Sequence, residues 1–239
     1  MKRVAVLCDV HGNLPALEAV LADGRLAQAE LVVVGGDVVA GPMPAECLDL
    51  LFELGDRARF IRGNADRFVV DRSPEHGAAW CADQLGRERL ARVAEWPLTV
   101  AVDVDGLGPV LFFHATPHSD EEILTRITPD DEIVAALAAV EAPTVVGGHT
   151  HVQFDRRVPG APRFVNAGSV GMPYEGRRGA FWALLGPDVE LLRTEYDAEA
   201  AAAAIREAEW PSSDELAGWL LEPPDPTEVT ELFESYRGA

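Results

Sequence analysis

The sequence predicts an α/β fold that carries a helical extension at its C-terminus. Short continuous apolar runs alternate with amphipathic stretches through the first third of the chain. That alternation is typical of parallel strands covered by helices on both faces. Strand-like pairs joined by glycine-containing turns follow, and residues 197–239 form helix-like segments separated by prolines.

The first third contains three buried strands, predicted at residues 4–8, 31–34 and 59–61. Asn13 opens a helix after the first strand, and Gly24 ends it. A second helix begins near Pro42 and Pro44, after the second strand. Residues 75–95 are predicted to be helical in one or two pieces, with a break near Gly86.

The middle of the chain changes to hairpin-like patterns. Residues 99–105 and 109–114 predict an antiparallel pair, followed by helices at 119–126 and 130–140 and a buried strand at 144–146. We expect strands near 151–158, 162–165, 179–186 and 189–195 to complete a second sheet. The last two are joined by a turn at residues 186–188.

The tail is acidic and alanine-rich. Residues 197–239 hold eleven acidic side chains against two arginines, and helices are expected at 198–209, 212–222 and 226–236. The chain therefore divides into a domain of residues 1–196 and an acidic helical extension, 197–239, packed on it. A homo-oligomer formed through these helices is one role open to them.

Composition limits the classes of partner. The net charge of −20 repels polyanions, so a long nucleic acid is not expected as the ligand. A small phosphorylated molecule remains compatible, because a bound metal reverses the local potential. Three cysteines with no paired spacing indicate a reducing compartment, and no apolar run approaches the roughly 20 residues that cross a membrane. We expect a cytoplasmic protein without membrane contact.

Side chains that bind metals follow the predicted strand ends. In open α/β sheets, ligands bind beyond the carboxyl ends of the strands, so these side chains are expected to meet at one rim. They are Asp9, His11, Asp37, Asn64, His114, His149 and His151.

Each of these groups alone has an ordinary explanation. Asp9 and His11 fit a solvated turn, the Gly35-Gly36-Asp37 and Gly63-Asn64 segments fit tight turns, and His114 fits a core histidine. Two histidines that are two residues apart after a Gly-Gly turn, at 149 and 151, favour ligation instead. A chance arrangement of all seven in this order is improbable, so the set predicts a metal centre.

The same residues resemble the calcineurin-like metallophosphoesterase family in order and spacing. The matching blocks are Asp9-Val-His11-Gly12-Asn13, Gly36-Asp37-Val-Val-Ala-Gly41, Gly63-Asn64-Ala65-Asp66, His114 and Gly148-His149-Thr150-His151. The resemblance covers roughly residues 1–195 and points to the small bacterial and archaeal phosphodiesterase branch. It implies a four-layer αββα sandwich of two mixed sheets flanked by helices.

The resemblance also implies a metal arrangement. One ion would be held by Asp9, His11 and His151, and the other by Asn64, His114 and His149, with Asp37 bridging them. Two divalent ions sharing a carboxylate can hold a hydroxide that attacks phosphorus. Mixed imidazole and carboxylate ligands suit Mn, Fe, Co, Ni or Zn better than Ca or Mg. We expect Mn, although the ligand types do not single it out.

One position departs from the family pattern. Many members have a histidine that assists the leaving group where this chain has Ala65. An acid from elsewhere, or a good leaving group, is then required. Asp66 is expected to orient His11 or another ligand imidazole. The predicted catalytic residues are Asp37, Asn64, Asp66 and His114.

Four further residues are predicted to contact the substrate: Asn13, Arg62, Arg67 and His118. Asn13 would hydrogen-bond a phosphate, although capping the first helix is an equal alternative. Arg62 and Arg67 would clamp a phosphate, although surface ion pairs are the more ordinary role. His118 would line the pocket, although it also fits an unspecialised loop.

Three functions compete. The first is a dinuclear-metal phosphoesterase acting on a small phosphorylated or nucleotide-type substrate, with a diester preferred. The second is a catalytically weak scaffold of the same fold that binds a protein through the tail, which the complete ligand set argues against. The third is a nuclease, which the net charge and the lack of a basic stripe argue against.

Overall fold

The computed structural model of the chain describes residues 1–237, so positions 238–239 of the predicted extension lie outside the described residues. The strands are β1 (Val4–Leu7), β2 (Leu31–Val34), β3 (Ala58–Phe60), β4 (Thr99–Val104), β5 (Gly108–Phe113), β6 (Thr144–Gly147), β7 (Phe154–Arg156), β8 (Arg163–Asn166), β9 (Ala180–Leu185) and β10 (Val189–Thr194). The helices are α1 (Leu14–Leu21), α2 (Pro44–Phe52), α3 (Asn64–Val70), α4 (Ala78–Ala94), α5 (Asp130–Ala136), α6 (Ala198–Glu207), α7 (Ser213–Leu221) and α8 (Pro226–Tyr236).

The strands form two mixed five-stranded sheets. The first has the order β10-β9-β1-β2-β3, in which β1, β2 and β3 are parallel and β9 runs antiparallel to both β1 and β10. The second has the order β4-β5-β6-β8-β7, in which β5, β6 and β8 are parallel. Its edge strands, β4 and β7, are antiparallel to their neighbours.

The predicted membership of the last hairpin is wrong. Strands β9 and β10 were expected in the second sheet, but β9 pairs with β1 in the first, with Val4 opposite Leu185. All six residues of β9 are buried, as are the four of β1, so this hairpin covers the edge of β1 in the interior of the molecule. The hairpin itself has the predicted antiparallel pairing.

Alternation along the strands separates the core into layers. In β1, Ala5 and Leu7 pack with the helices α1, α2, α4, α6 and α7, whereas Val4 and Val6 face the other sheet. The second sheet contributes Phe112 and Val165 to that inner layer, while its outer face packs with α5. This is the four-layer αββα sandwich that the family resemblance implied.

One predicted helix does not form. Residues 119–126 make a loop, because nearby hydroxyl oxygens accept the backbone N–H groups that a helix would use. The Ser119 hydroxyl accepts from the N–H groups of Glu121 and Glu122, and the Thr128 hydroxyl accepts from Thr125. The break predicted near Gly86 is present inside α4, where that residue has φ of 70°.

The three predicted tail helices are present, and two of them pack on the first sheet's outer core. Ile205 of α6 and Leu216 and Leu220 of α7 are buried in the same cluster as α1 and α2. Helix α8 is different, since Thr230 is its only buried residue among those described. No helix in the described part of the chain combines the length and apolarity that a membrane crossing needs.

Candidate metal centre

The carboxyl ends of β1 and β2 and the loops that follow them are tied together by backbone hydrogen bonds. The Asp9 N–H donates to the Gly36 carbonyl over 3.0 Å, and the His11 N–H donates to the Asp37 carbonyl over 2.9 Å. Gly36 has φ of 93°, and a Cβ there would lie 2.7 Å from His114 Nδ1. Glycine is thus needed for the close approach of this loop to the second sheet.

Asp9 joins the two sheets at the rim. Its carboxylate accepts a hydrogen bond from the backbone N–H of His149, with distances of 3.0 and 3.3 Å to its two oxygens. Its carbonyl accepts from the Ser169 hydroxyl over 2.7 Å. The candidate ligands of the first sheet are therefore held in register with those of the second.

The backbone at this rim is strained. Eight residues other than glycine have positive φ among those described, and five of them are candidate ligands: Asp9, His11, Asp37, His149 and His151. Each such conformation costs about 1–3 kcal/mol and persists where the surrounding structure holds it for function. The concentration of strain marks the rim as the functional region.

Three imidazoles are oriented by backbone carbonyl groups. His11 Nδ1 lies 3.1 Å from the Ala40 carbonyl oxygen, His114 Nδ1 lies 2.9 Å from that of Gly35, and His151 Nδ1 lies 2.7 Å from that of Met172. A carbonyl only accepts, so each Nδ1 carries a proton and donates it. Donation of this kind fixes the tautomer and directs Nε2 toward the centre of the rim, as in metal-binding histidines.

The first group of candidate ligand atoms lies around His11, His151 and Asp9. His11 Nε2 and His151 Nε2 are 3.2 Å apart, and Asp9 Oδ1 lies 3.3 Å from the latter. Asp37 joins this group, and the four residues can offer ligand atoms within 4.8 Å of one another. Facing lone pairs and two buried carboxylates fit a cation placed among them.

The second group shares Asp37 with the first. Asp37 Oδ2 lies 3.7 Å from His11 Nε2 and 3.5 Å from His114 Nε2. Asn64 Oδ1 is 3.0 Å from the same His114 nitrogen. A single carboxylate is therefore placed between two sets of donors.

His149 completes the second group in the opposite orientation. Its Nε2 lies 3.1 Å from the Glu121 carbonyl oxygen, so this nitrogen donates and Nδ1 is the one left free. Its ring centroid is 5.1 Å from that of His114. All seven predicted ligand residues thus meet at one rim.

Electrostatics also suit a cation at this rim. Burial, reinforced by neighbouring histidines, lowers the pKa of His11 and brings that of His149 to about 4, so both are neutral ligands at pH 7. Burial lowers the pKa of His114 too, but the Asp37 and Asp9 carboxylates outweigh it and raise that pKa to about 10. The two carboxylates thus favour a positive charge at this rim.

Asp66 does not orient an imidazole, contrary to the expectation. It is fully buried and its carboxylate accepts backbone N–H groups from Asp37, Val38, Val39 and Gly63 over 2.8–3.1 Å. Burial and the Asp37 charge raise its pKa to about 7, against the lowering effect of those donors. Asp66 therefore fixes the backbone that carries Asp37.

The predicted substrate residues are engaged away from the centre of the rim. Asn13 is buried, accepts from the Ala16 N–H as the cap of α1 and donates to the Gly171 carbonyl. Arg62 and Arg67 both pair with Asp120, at 3.5 and 3.0 Å. His118 is exposed and pairs with Glu122 at 2.9 Å. The alternative roles given above for Asn13 and the two arginines match these contacts.

A cavity of about 410 Å³ opens over the candidate ligands. Its base is lined by His11, Asp37, Asn64, His149 and His151, and Asp9 and His114 are buried beside them. We call these seven predicted ligands the polar floor. We call the side of the cavity the aromatic wall, which comprises Phe68, Tyr174, Trp210, Trp219, Phe233 and Tyr236. Sequence reasoning missed the wall, although the aromatic residues of the acidic tail were a signal that could have indicated it.

The family assignment rests on a match that spans strands β1 to β9. Residues 1–185 match the model of the calcineurin-like phosphoesterase superfamily domain. This chain belongs to that superfamily. The match ends before β10 and α6, so it includes the whole polar floor but excludes the part of the wall built by α7, α8 and Trp210.

Individual relatives extend further along the chain. An uncharacterized protein of Methanocaldococcus jannaschii is 28% identical over 238 residues, spanning 87% of this chain and 94% of the relative. A metallophosphoesterase structure from Sphaerobacter thermophilus is 28% identical with a TM-score of 0.74, covering 92% of this chain and 98% of that one. A hypothetical protein of Pyrococcus horikoshii, 22% identical, shares the fold with a TM-score of 0.80, covering 94% and 100%.

Proposed function

We propose that this chain is a phosphodiesterase that depends on two divalent metal ions. The observation that carries the proposal is the pair of buried donor groups that share Asp37, with its Oδ2 atom 3.7 Å from His11 Nε2 and 3.5 Å from His114 Nε2. Family membership supports the general class of phosphoester chemistry.

The ligand sets follow from the two groups. Asp9, His11 and His151 would hold one ion, and Asn64, His114 and His149 the other, with Asp37 shared. Two bound divalent ions supply a nucleophile from water near neutral pH and neutralise phosphoryl charge. Mixed nitrogen and oxygen donors suit Mn, Fe, Zn, Ni or Co, and Mn is the ion used in the test below.

The preference for a diester rests on Ala65, which contacts Asp37 through its backbone. Ala65 has no side chain that can give a proton to a leaving group, and its backbone N–H instead donates to Asp37 Oδ1 over 2.8 Å. The residue thus positions the shared carboxylate rather than serving as an acid. A diester with a leaving group that departs without protonation suits this arrangement.

The cavity and the charge support a small substrate. A volume of about 410 Å³ holds a drug-sized molecule, and the net charge of −20 disfavours long nucleic acids. The three cysteines are free and buried, which fits the reducing cytoplasm as the place of action.

Hydrolysis of bis-p-nitrophenyl phosphate with and without Mn²⁺ tests the proposal, with p-nitrophenyl phosphate as the monoester. We expect Mn²⁺-stimulated turnover that is faster for the diester. Replacing the shared carboxylate, Asp37→Ala, should reduce the rate about 10³-fold or more, since several kcal/mol of transition-state stabilisation are lost. Asp49→Ala, an exposed residue of α2, is the matched control.

Two outcomes would contradict the proposal. A chain that binds two metals yet hydrolyses neither ester would be a metal-binding scaffold. A chain that prefers the monoester would retain the phosphoesterase class and lose the diester assignment.

A further inference from the structure

The aromatic wall borders the polar floor directly. The Tyr174 ring stacks on the His151 imidazole with centroids 4.8 Å apart and planes inclined by 22°. The Trp219 ring meets Tyr174 edge-on at 5.7 Å, and the Phe233 ring lies 6.2 Å from His149. The organic part of a substrate whose phosphoryl group is held at the floor would therefore contact the faces and edges of these rings.

The wall is not closed by the protein's own packing. Trp219 and Phe233 are half-buried, and 57% of Tyr236 is exposed. Rings of this size normally bury most of their surface in a core, and their apolar faces here line a cavity. Partly open aromatic surface beside a polar site marks a place where a ligand is held.

Polar contacts hold the α8 part of the wall in place. Glu234 accepts hydrogen bonds from the hydroxyls of Thr125 and Thr128 in the loop before α5. Arg126 donates to the Thr227 hydroxyl over 3.1 Å, and Arg237 pairs with Glu132 of α5. These contacts fix the helix so that Phe233 faces the cavity, although the helix contributes little to the core.

The charge of the lining limits the ligand further. No lysine or arginine lies in the lining formed by the described residues, and Arg67 is already paired with Asp120 and Glu121. Glu215 adds a negative charge on the wall side. A second phosphate beyond the floor would find no cation and would be repelled.

We propose that the aromatic wall is the specificity subsite for the organic part of the substrate, which is a flat, uncharged ring joined to a single phosphoryl group. This inference rests on the proposed function, because the floor must hold that phosphoryl group. A nucleobase-sized ring fits the class, whereas a polyphosphate chain does not. The C-terminal helices thus set the substrate class of the enzyme.

The binding of two phosphonates to the Mn²⁺-loaded full chain tests the inference. Benzylphosphonate carries a ring and methylphosphonate does not, while both present the same anionic group to the floor. We expect the dissociation constant of benzylphosphonate, measured by calorimetry and by tryptophan fluorescence, to be about tenfold lower or more, since stacking on an aromatic side chain contributes that much.

Variants separate ring stacking from general packing. Trp219→Leu keeps apolar volume and should remove most of the preference for the ring, whereas Trp219→Phe should restore it. Phe233→Leu should reduce it as well. Leu232→Ala changes an exposed neighbour of Phe233 on the same helix and should leave the preference unchanged.

The outcomes distinguish a failure of this inference from a failure of the proposed function. Equal affinity for the two phosphonates, or a preference that survives both Trp219→Leu and Phe233→Leu, overturns the assignment of the wall and leaves the metal-dependent function standing. If neither phosphonate binds to the metal-loaded chain, the proposed function fails and this inference fails with it.

Discussion

The polar floor and the aromatic wall line one cavity but are built in different ways. The floor consists of side chains beyond strand ends that are held by backbone hydrogen bonds, and five of these residues have strained backbone conformations. Three of the wall's six rings lie on helices α7 and α8, and α8 is anchored by side-chain contacts to a loop. In the proposed function, the metal chemistry takes place at the ends of the sheets, and substrate selectivity depends partly on helices outside them.

The largest expected effect comes from removing a charge in the floor. Asp9→Asn keeps the shape of the side chain, but an amide is a far weaker ligand for a divalent ion than a carboxylate. We expect bound Mn²⁺ to fall from two ions per chain to about one, and the hydrolysis rate to fall about 10³-fold. Elemental analysis and turnover measure the two losses. An unchanged metal content would show that Asp9 is not a ligand.

The next effect tests how the floor is held. In Asp66→Asn, an NH₂ group replaces one of the oxygens that accept four backbone N–H groups, leaving about two donors unpaired. We expect a loss of about 2–4 kcal/mol in the free energy of unfolding, lowering Tm by about 5–10 °C. Metal affinity should fall about 10–100-fold, because Asp37 is no longer held. Asp83→Asn, an exposed control, should change neither quantity. A normal Tm in Asp66→Asn would contradict this account of the loop.

A smaller effect is expected from releasing the wall without touching a ring. Glu234→Ala removes the acceptor for Thr125 and Thr128, so α8 loses part of its anchorage. We expect benzylphosphonate to bind about three- to tenfold more weakly, with methylphosphonate binding and metal content unchanged. Titration of both phosphonates measures the difference. Equal weakening of the two would mean that α8 supports the floor as well.

The smallest effect lies outside both regions. Arg89 and Asp49 form an ion pair on the surface of α2 and α4, where 38% and 51% of the two side chains are exposed. Exposed pairs of this kind contribute about 0–1 kcal/mol. Arg89→Gln should therefore leave turnover unchanged and shift Tm by only a few degrees, which thermal unfolding at matched ionic strength measures. A large loss of activity would show that a region outside the polar floor and the aromatic wall also affects turnover.

The floor was predictable from sequence because each of its residues follows directly after a recognisable strand. Parallel strands place their carboxyl ends at one edge, so polar residues after short apolar runs must meet there. The positions of Asp37 and His149 could be predicted from that rule and the family resemblance alone. Asp66 was misassigned because a carboxylate that accepts backbone N–H groups has the same sequence pattern as one that accepts from an imidazole.

The rest depended on tertiary contacts that no local pattern records. The β9–β10 hairpin has the same alternation whichever sheet it joins, and only burial of the β1 edge decides the question. The loop at 119–126 replaced a helix because the hydroxyls of Ser119 and Thr128 capture its N–H groups. The aromatic residues of the tail were visible in the sequence, but Phe68 and Tyr174 lie more than 35 residues before them, so no local spacing indicates that these rings line one cavity.

Anomalous diffraction from Mn²⁺-loaded crystals tests the central claim most directly. The account predicts two peaks at the polar floor, one among Asp9, His11 and His151 and one among Asn64, His114 and His149, with Asp37 between them. The same crystals of Asp37→Ala should lose or weaken both. No peak at the floor, or Mn²⁺ bound only elsewhere on the acidic surface, would contradict the metal centre and the function built on it.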